Sequence, residues 1–218
     1  MKVIGVAAKA GGGKDTAYEL LKESLEEEGY TVTKLSFARK LKDALCVMLG
    51  FDRERLEYDF DYKEGNTLDD GSLDPACEML GMTRREIMQI FGTEGCRDGL
   101  HKDIWVISLK LAILHGEYDD YDYGVLTDCR FINELKFVRD LDGILMQIQR
   151  EGEETTLTDS VDHSSETEWE KWDDWDAIVM NHIDPKLDTQ SNLERFQDVL
   201  RIALEDAEAT IEENRKFA

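Results

Sequence analysis

The fold is decided by the stretch KVIGVAAKAGGGKDT, residues 2–16. Its first part, residues 2–7, is rich in Val and Ile and predicts a buried strand. The three glycines at 11–13 predict a turn, and residues 15–28 then repeat apolar side chains at helical spacing until Gly29. A strand, a glycine-rich turn and a helix in this order are typical of a phosphate-binding P-loop.

The chemistry of this glycine loop (residues 8–14) depends on its backbone. Glycines let successive N–H groups converge on phosphate oxygens, and the start of the next helix adds partial positive charge. Lys14 is predicted to reach the β- and γ-phosphates of a nucleotide. Ala8 stands where a first glycine is usual, and Asp15, followed by Thr16, stands where a hydroxyl usually binds Mg²⁺. A carboxylate also binds Mg²⁺, directly or through water. A glycine-rich turn without a ligand is the alternative.

Strands and helices alternate along the rest of the chain. Further strands are predicted at 31–37, 124–127, 144–148 and 177–180, and helices at 38–49, 84–91, 102–115, 133–141 and 189–217. A break within the last helix stays open. Residues 51–83 are polar, acidic and turn-rich and predict an irregular insertion, while residues 151–168 predict a lid-like segment. The alternation predicts an α/β fold with a parallel sheet covered on both faces.

The charge of the chain excludes several partners. Its 218 residues carry 49 Asp and Glu against 26 Lys and Arg, a formal net charge of −23. Such a surface disfavours nucleic-acid polymers and anionic membranes. The acids are spread along the whole chain, which favours adaptation to molar salt over an ordinary acidic surface.

Other global features predict a soluble, intracellular protein. The sequence shows no signal-peptide pattern and no apolar run long enough to span a bilayer, so we expect a cytoplasmic location, in the host cytoplasm if the protein is viral. The four cysteines form no CxxC pair and no metal-ligand spacing with histidine. They are therefore expected to be reduced thiols without a disulfide or structural zinc.

Several short sequence segments occur here together and in the same order as in other proteins. They are Gly13-Lys14-Asp15-Thr16, Lys42-Asp43-Ala44-Leu45, Arg85 with Met88-Gln89, Gly92-Thr93-Glu94, Trp105, Asp128-Cys129-Arg130 with Glu134, Arg150, His163 with Glu166, and Asn181. Over nearly its whole length the chain thereby resembles the bacteriophage deoxynucleoside monophosphate kinases of the P-loop kinase group.

The resemblance implies both a fold and a reaction. The fold is a P-loop kinase-like three-layer α/β/α domain over residues 1–218, with a substrate-binding insertion at 51–100 and the lid at 151–168. The reaction is transfer of the γ-phosphoryl group of ATP, with Mg²⁺, to a (deoxy)nucleoside monophosphate, giving ADP and the diphosphate in viral DNA-precursor synthesis. A homodimer is an expectation by analogy alone. A P-loop kinase with a non-nucleotide acceptor and a nucleotide-binding regulatory module without kinase activity remain alternatives.

The resemblance also implies the roles of individual residues. The ATP-binding residues are Gly11, Gly12, Gly13, Lys14, Asp15, Thr16, Arg150 and Asn181. The substrate-binding residues are Lys42, Arg85, Gln89, Gly92, Thr93, Trp105, Arg130 and Glu134. The catalytic residues are Lys14, Asp15, Asp128 and Arg130, and the metal ligands are Asp15 and Asp128.

This set agrees with the needs of phosphoryl transfer, which depends on positioning and on charge neutralisation. Arg85 and Arg130 are suited to clamp an acceptor phosphate bidentately, with ion pairing to nearby acids as the alternative. Trp105 either stacks on a base or belongs to the core. Glu134 is a substrate contact by resemblance but an ordinary helix-face acid by spacing.

Overall fold

A parallel β-sheet organises one part of the computed structural model, which describes residues 1–9, 11–150 and 168–217. Its strands are β1 (Lys2–Ala7), β2 (Val32–Leu35), β3 (Tyr123–Leu126), β4 (Ile144–Arg150) and β5 (Ala177–Asn181). They lie in the order β2-β3-β1-β4-β5, and each neighbouring pair is parallel. The central strands are nearly continuous apolar runs because both of their faces are buried.

Two long helices cover one face of this sheet. They are α1 (Lys14–Glu27) and α9 (Thr189–Phe217), which runs without a break. Ile4 of β1, Leu21 of α1 and Leu200 of α9 belong to the same buried cluster. The acidic residues of α1 lie mostly on its other side, which explains the helical periodicity of its sequence.

A third helix, α8 (Ile132–Asp140), covers the opposite face. It approaches β1 at Gly5, where a Cβ atom would lie 2.8 Å from Cδ2 of Leu145 and 3.1 Å from Cγ2 of Val138. A glycine is therefore required there by close packing. Helices on both faces of a parallel sheet confirm the predicted three-layer α/β/α class.

The topology also locates a crevice. β1 and β3 are neighbours in the sheet, but the helices that follow them, α1 and α8, lie on opposite faces. In open α/β sheets such a reversal leaves a crevice beyond the carboxyl ends of the two strands, where ligands bind. The glycine loop follows β1 and Asp128 follows β3, so both sequence motifs begin at this edge.

The chain divides into two compact units, the first with Met1–Ser36 and Ala112–Ala218, the second with Phe37–Leu111. The predicted insertion at 51–100 lies within the second unit, and the single-domain description of 1–218 stays a prediction. The second unit contains α2 (Arg39–Leu49), α3 (Arg53–Tyr58), α4 (Phe60–Glu64), α5 (Pro75–Leu80), α6 (Arg84–Ile90), a π-helix (Phe91–Asp98) and the start of α7 (Ile104–Leu114).

The irregular insertion predicted at 51–83 is wrong, because this segment contains three short helices. Three of the acidic residues in this segment are helix caps. Asp52, Asp59 and Asp74 each accept a hydrogen bond from a backbone N–H in the first turn of α3, α4 or α5. Such caps satisfy donors that the helix itself leaves unpaired.

Most other predicted elements are confirmed with ends that agree to within two residues. Two segments were missed, the π-helix and a 3₁₀-helix at Glu168–Lys171. The four cysteines are free thiols, and Cys77 and Cys129 are buried. Most of the predicted lid, with His163, lies outside the described residues. Within the described part, every helix is too short or too polar to span a bilayer.

Candidate functional site

The described residues of the glycine loop, 8–9 and 11–14, have the glycine conformations that a turn requires. Gly11 and Gly13 have φ angles of +75° and +97°, in the left-handed region that favours glycine. Gly13 is the N-cap of α1 and, as a glycine, makes no side-chain hydrogen bond to the start of that helix. A Cβ atom on Gly12 would lie 2.9 Å from Cβ of Ala8, so the loop is tightly curled and a small residue at position 8 fits it. A curled loop at an uncapped helix start is suited to bind an anion.

Lys14 brings a positive charge to this loop. It is the first residue of α1, and its Nζ donates to the carbonyl oxygens of Ala8 at 2.6 Å and Lys9 at 3.1 Å. The ammonium group therefore lies against the first residues of the glycine loop. The helix that carries it begins where this loop ends. This is a suitable place for a point charge that serves bound phosphate.

Asn181, a predicted ATP-binding residue, also contacts the loop. It ends β5, and its Nδ2 donates to the carbonyl oxygen of Gly12 at 3.4 Å. The same nitrogen lies 2.7 Å from the place where a Cβ on Gly13 would stand, so glycine is needed there for space as well as for φ. Arg150 is the register partner of Asn181 at the end of β4, and its side chain is exposed.

Asp15 lies at the surface of the protein. Its side chain is 82% exposed, and Oδ1 lies 2.8 Å from Nζ of Lys34 on β2. The next residue, Thr16, is half-buried in the first turn of α1. Both residues supply oxygen atoms near the start of the helix, so the assignment of a metal to Asp15 stays a prediction.

Asp128 lies two residues beyond β3, and its Oδ2 accepts a hydrogen bond of 2.7 Å from the hydroxyl of Ser36. Ser36 follows β2, the neighbouring strand, and was missed because a serine after a strand carries no signal of its own. Neighbouring parallel strands end at the same edge of a sheet. The position of Ser36 directly after β2 is therefore the signal that could have identified it.

The donor atoms at this edge fit Mg²⁺. Among residues 1–9, 11–150 and 168–217, no three His, Cys, Asp or Glu side chains form a metal cluster. Mg²⁺ at phosphate sites needs no such cage, because one or two carboxylates with phosphate oxygens and water complete its coordination. The Asp128 carboxylate and the Ser36 hydroxyl are hard oxygen donors of that kind.

The loop between β3 and α8 is held by a buried carboxylate. Glu134 is 2% exposed, and its Oε2 accepts the backbone N–H of Arg130 at 2.7 Å and of Phe131 at 3.1 Å. Between the two predicted catalytic residues, Cys129 is buried, and burial raises the pKa of its thiol well above the ordinary value. The thiol therefore stays protonated. The Glu134 carboxylate, by contrast, holds the backbone of this loop through its two hydrogen bonds.

In the second unit, two predicted acceptor-side cations are ion-paired. Nζ of Lys42 lies 2.6 Å from Oε2 of Glu57, and Nη1 of Arg85 lies 2.9 Å from Oε1 of Glu64. Arg53 also binds Glu57, at 2.9 Å. The structure thus shows ion pairs for both cations, and a role in binding phosphate stays a prediction.

The Gly-Thr-Glu segment lies in the π-helix. Gly92 accepts a hydrogen bond of 3.0 Å from Nε1 of Trp105, which is 8% exposed and has its ring centroid 6.5 Å from that of Phe91. Trp105 is thus packed inside the second unit. Gln89 and Thr93, on either side of Gly92, are half-buried. π-Helical turns are rare and recur at functional sites.

Arg84, beside Arg85, is an organising residue that the sequence reasoning missed. It is fully buried, and Nη2 lies 2.8 Å from Oδ2 of Asp74 while Nη1 donates to the carbonyl oxygen of Tyr62 at 3.1 Å. Its guanidinium carbon lies 3.7 Å from the centroid of the Tyr62 ring. Arg84 and Ile87 are three residues apart and therefore lie on the same buried face of α6. This spacing is the signal that distinguishes Arg84 from Arg85.

Comparison with known proteins gives a consistent result. A protein of Acanthamoeba polyphaga mimivirus, with the name of a deoxynucleotide monophosphate kinase, is 30% identical over 196 residues, covering 84% of this chain and 89% of the relative. A deoxynucleoside-5′-monophosphate kinase of Escherichia phage T5 is 34% identical over 93 residues, covering 40% and 35% of the two chains.

A plasmid partition protein from Borrelia burgdorferi is 16% identical, covering 94% of this chain and 99% of that one, with a TM-score of 0.37, which is too low to support an argument. The sequence profile described as deoxynucleotide monophosphate kinase matches residues 78–189, which include the π-helix, the Asp128–Arg130 segment and β5. With a match to half of the chain and a relative that covers most of it, this chain belongs to the deoxynucleotide monophosphate kinase family.

Proposed function

We propose that this chain transfers the γ-phosphoryl group of ATP to a deoxynucleoside monophosphate, with Mg²⁺, giving ADP and the deoxynucleoside diphosphate. One observation carries the proposal: the Lys14 ammonium lies 2.6 Å from the Ala8 carbonyl of a curled glycine loop at the sheet's crevice. Membership of the family supports the acceptor class.

On the donor side, the protein contributes charge and position. The first backbone N–H groups of α1 and the Lys14 ammonium bind the phosphates, and Asn181 holds the Gly12 carbonyl so that the loop keeps its curl. Asp128 and Ser36 would hold Mg²⁺, which supplies neutralisation of the phosphate charge. Preorganised charges of this kind are the main contribution to phosphoryl transfer.

On the acceptor side, the chemistry needs no strong base. A phosphate monoester loses its second proton with a pKa of about 6, so its oxygen is a nucleophile at neutral pH. Arg130, Arg85 and Lys42 neutralise the acceptor phosphate. Lys42 and Arg85 each bind a carboxylate in the structure, and a phosphate oxygen is a comparable acceptor for the same N–H groups.

The biological setting follows from the product. A deoxynucleoside diphosphate is one phosphorylation away from a DNA precursor, and the two relatives described above belong to a virus and a phage. We therefore infer a role in viral DNA-precursor synthesis.

The reaction is tested by product analysis. The purified protein is incubated with Mg-ATP and each deoxynucleoside or ribonucleoside monophosphate, in low and in molar KCl, and the nucleotides are separated by chromatography. We expect a deoxynucleoside diphosphate and an equal amount of ADP. ADP formation only with a non-nucleotide acceptor, or ATP binding without any acceptor-dependent ADP, would replace the proposal with another kinase or a binding module.

Two lysine variants complete this test. Lys14→Ala should lower kcat by at least about 100-fold, the loss typical of one preorganised charge donor. Lys22→Ala, on the same helix and near Glu26 at the surface, should keep full activity. Equal activity of both variants would contradict a role of the glycine loop in the reaction.

A further inference from the structure

Three consecutive backbone N–H groups at the start of α8 donate to two carboxylates. Oε2 of Glu134 accepts from Arg130 at 2.7 Å and from Phe131 at 3.1 Å, and Oε1 of Glu168 accepts from Ile132 at 3.2 Å. The carbonyl oxygen of Arg130 in turn accepts the backbone N–H of Trp169 at 3.1 Å. Both peptide groups of Arg130 are therefore tied to the surrounding structure.

The two hydrogen bonds to residues 168 and 169 come from a short helix that is held in place by a buried side chain. Trp169 is 3% exposed, and its ring centroid lies 6.2 Å from that of Trp175 in an edge-to-face arrangement. The 3₁₀-helix Glu168–Lys171 is thus anchored by the buried Trp169 side chain, which packs against the half-buried Trp175. From this anchor the Glu168 carboxylate reaches the N-terminus of α8, where hydrogen bonds from backbone N–H groups to a charged acceptor are strongest.

We propose that Glu168 is a positioning residue for Arg130. Glu134 and Glu168 together fix the backbone from which the Arg130 guanidinium reaches the acceptor phosphate. The inference rests on the proposed function, in which Arg130 is one of the cations of the reaction. A long side chain inherits the orientation of its own Cα, so a loop free to change its φ and ψ angles would spread the guanidinium over several positions.

A carboxylate that only caps α8 would affect stability and not the reaction. The two roles differ in how Glu168 and Arg130 combine. If Glu168 acts through Arg130, its removal costs nothing more once Arg130 has been removed. If it acts only on folding, its removal leaves kcat of the folded protein unchanged in either background.

The experiment is a double-variant cycle on kinase activity. Glu168→Ala should lower kcat by about 10- to 100-fold, as expected from misplacing a charge by about 1 Å, with KM for ATP unchanged within about twofold. Glu168→Gln keeps an acceptor oxygen and should recover most of that loss. Glu170→Ala, at an exposed position of the same 3₁₀-helix, should behave as the parent protein. In an Arg130→Ala background, Glu168→Ala should change kcat by less than about twofold.

Each outcome decides between the two roles. A normal kcat for Glu168→Ala, or losses that multiply in the double variant, would overturn the inference. If Glu168→Ala does not fold, the same cycle is run with Glu168→Asp, which keeps the charge but withdraws the oxygen by one methylene. Absence of kinase activity in the parent protein would instead contradict the proposed function.

Discussion

The indole N–H of Trp105 donates a hydrogen bond of 3.0 Å to the carbonyl oxygen of Gly92, and this contact joins α7 to the π-helix. On its other side, a Cβ atom at Gly92 would lie 2.5 Å from Cδ1 of Leu41 on α2. Gly92 is thus the point where three elements of the second unit meet. The glycine of the Gly-Thr-Glu segment is required by packing, whatever its neighbours bind.

We expect Gly92→Ala to destabilise the protein by about 1–3 kcal/mol, because the added methyl group overpacks the contact with Leu41. Gly95→Ala is the matched control in the same π-helix, where the nearest atom would be the Ile90 carbonyl oxygen at 3.5 Å. It should be neutral or stabilising by up to about 1 kcal/mol. Thermal unfolding of the two variants checks this, and similar midpoints would contradict it.

Two adjacent arginines should separate stability from function. Arg84→Met leaves the Asp74 carboxylate buried without its partner and should cost about 3–5 kcal/mol. Arg85→Met removes an ion pair whose side chains are 31% and 34% exposed, which should cost at most about 1 kcal/mol. Denaturant unfolding measures both. KM for the acceptor should rise only for Arg85→Met among well-folded variants, and an unchanged KM would argue against Arg85 as a phosphate ligand.

The ion pairs of Glu57 predict a dependence on pH. Burial raises the pKa of Glu57, but hydrogen bonds and charges from Lys42 and Arg53 outweigh it, so the net pKa lies below its ordinary value. A lowered pKa stabilises the folded state above the unfolded pKa of about 4.3, and that stability is lost as pH falls through the folded pKa. Glu57→Gln should therefore be less stable than the parent protein at pH 7, by an amount that shrinks below about pH 4.

Glu54→Gln, at an exposed position of the same helix, is the control for this pH experiment. Its stability should follow that of the parent protein at every pH. A stability difference for Glu57→Gln that is constant from pH 7 to pH 3 would show that ionisation of Glu57 contributes nothing.

The net charge of −23 predicts a dependence on salt. The outer face of α1 alone carries Glu19, Glu23, Glu26 and Glu27 around a single lysine, Lys22. Molar KCl should raise the midpoint of thermal unfolding because it screens this repulsion. The double variant Glu19→Gln, Glu27→Gln should raise the midpoint in low salt and lower its salt dependence. A midpoint that does not change or falls with KCl would contradict adaptation to molar salt and favour an ordinary acidic surface.

The sheet and the glycine loop were predictable because their signals are local and strong. The apolar run of β1, the glycines and the periodicity of α1 occur in direct succession. The segment 51–83 was mispredicted for the opposite reason. α3, α4 and α5 have only five or six residues, too few to show a period, and their capping aspartates resemble turn residues when the sequence stands alone.

The candidate site was predictable only in part. Lys14 and Asn181, both predicted to bind ATP, lie 2.6 and 3.4 Å from carbonyl oxygens of the glycine loop, and their contact with ATP stays a prediction. Glu168 was not predictable as a partner of the Ile132 backbone, because the two residues are 36 positions apart in the chain and meet through a main-chain N–H that almost every residue has. Ser36 shows the same limit, since its contact depends on the order of the strands.

The parallel pairing of β1 has a consequence for the synthesis of the chain. Residues 2–7 leave the ribosome well before their partners in the sheet, which begin at Tyr123 on one side and Ile144 on the other. This apolar strand therefore has no partner in the sheet until the chain has been made beyond Tyr123. During that interval the acidic residues of α1, which emerge directly behind it, supply the charge that keeps nascent chains apart.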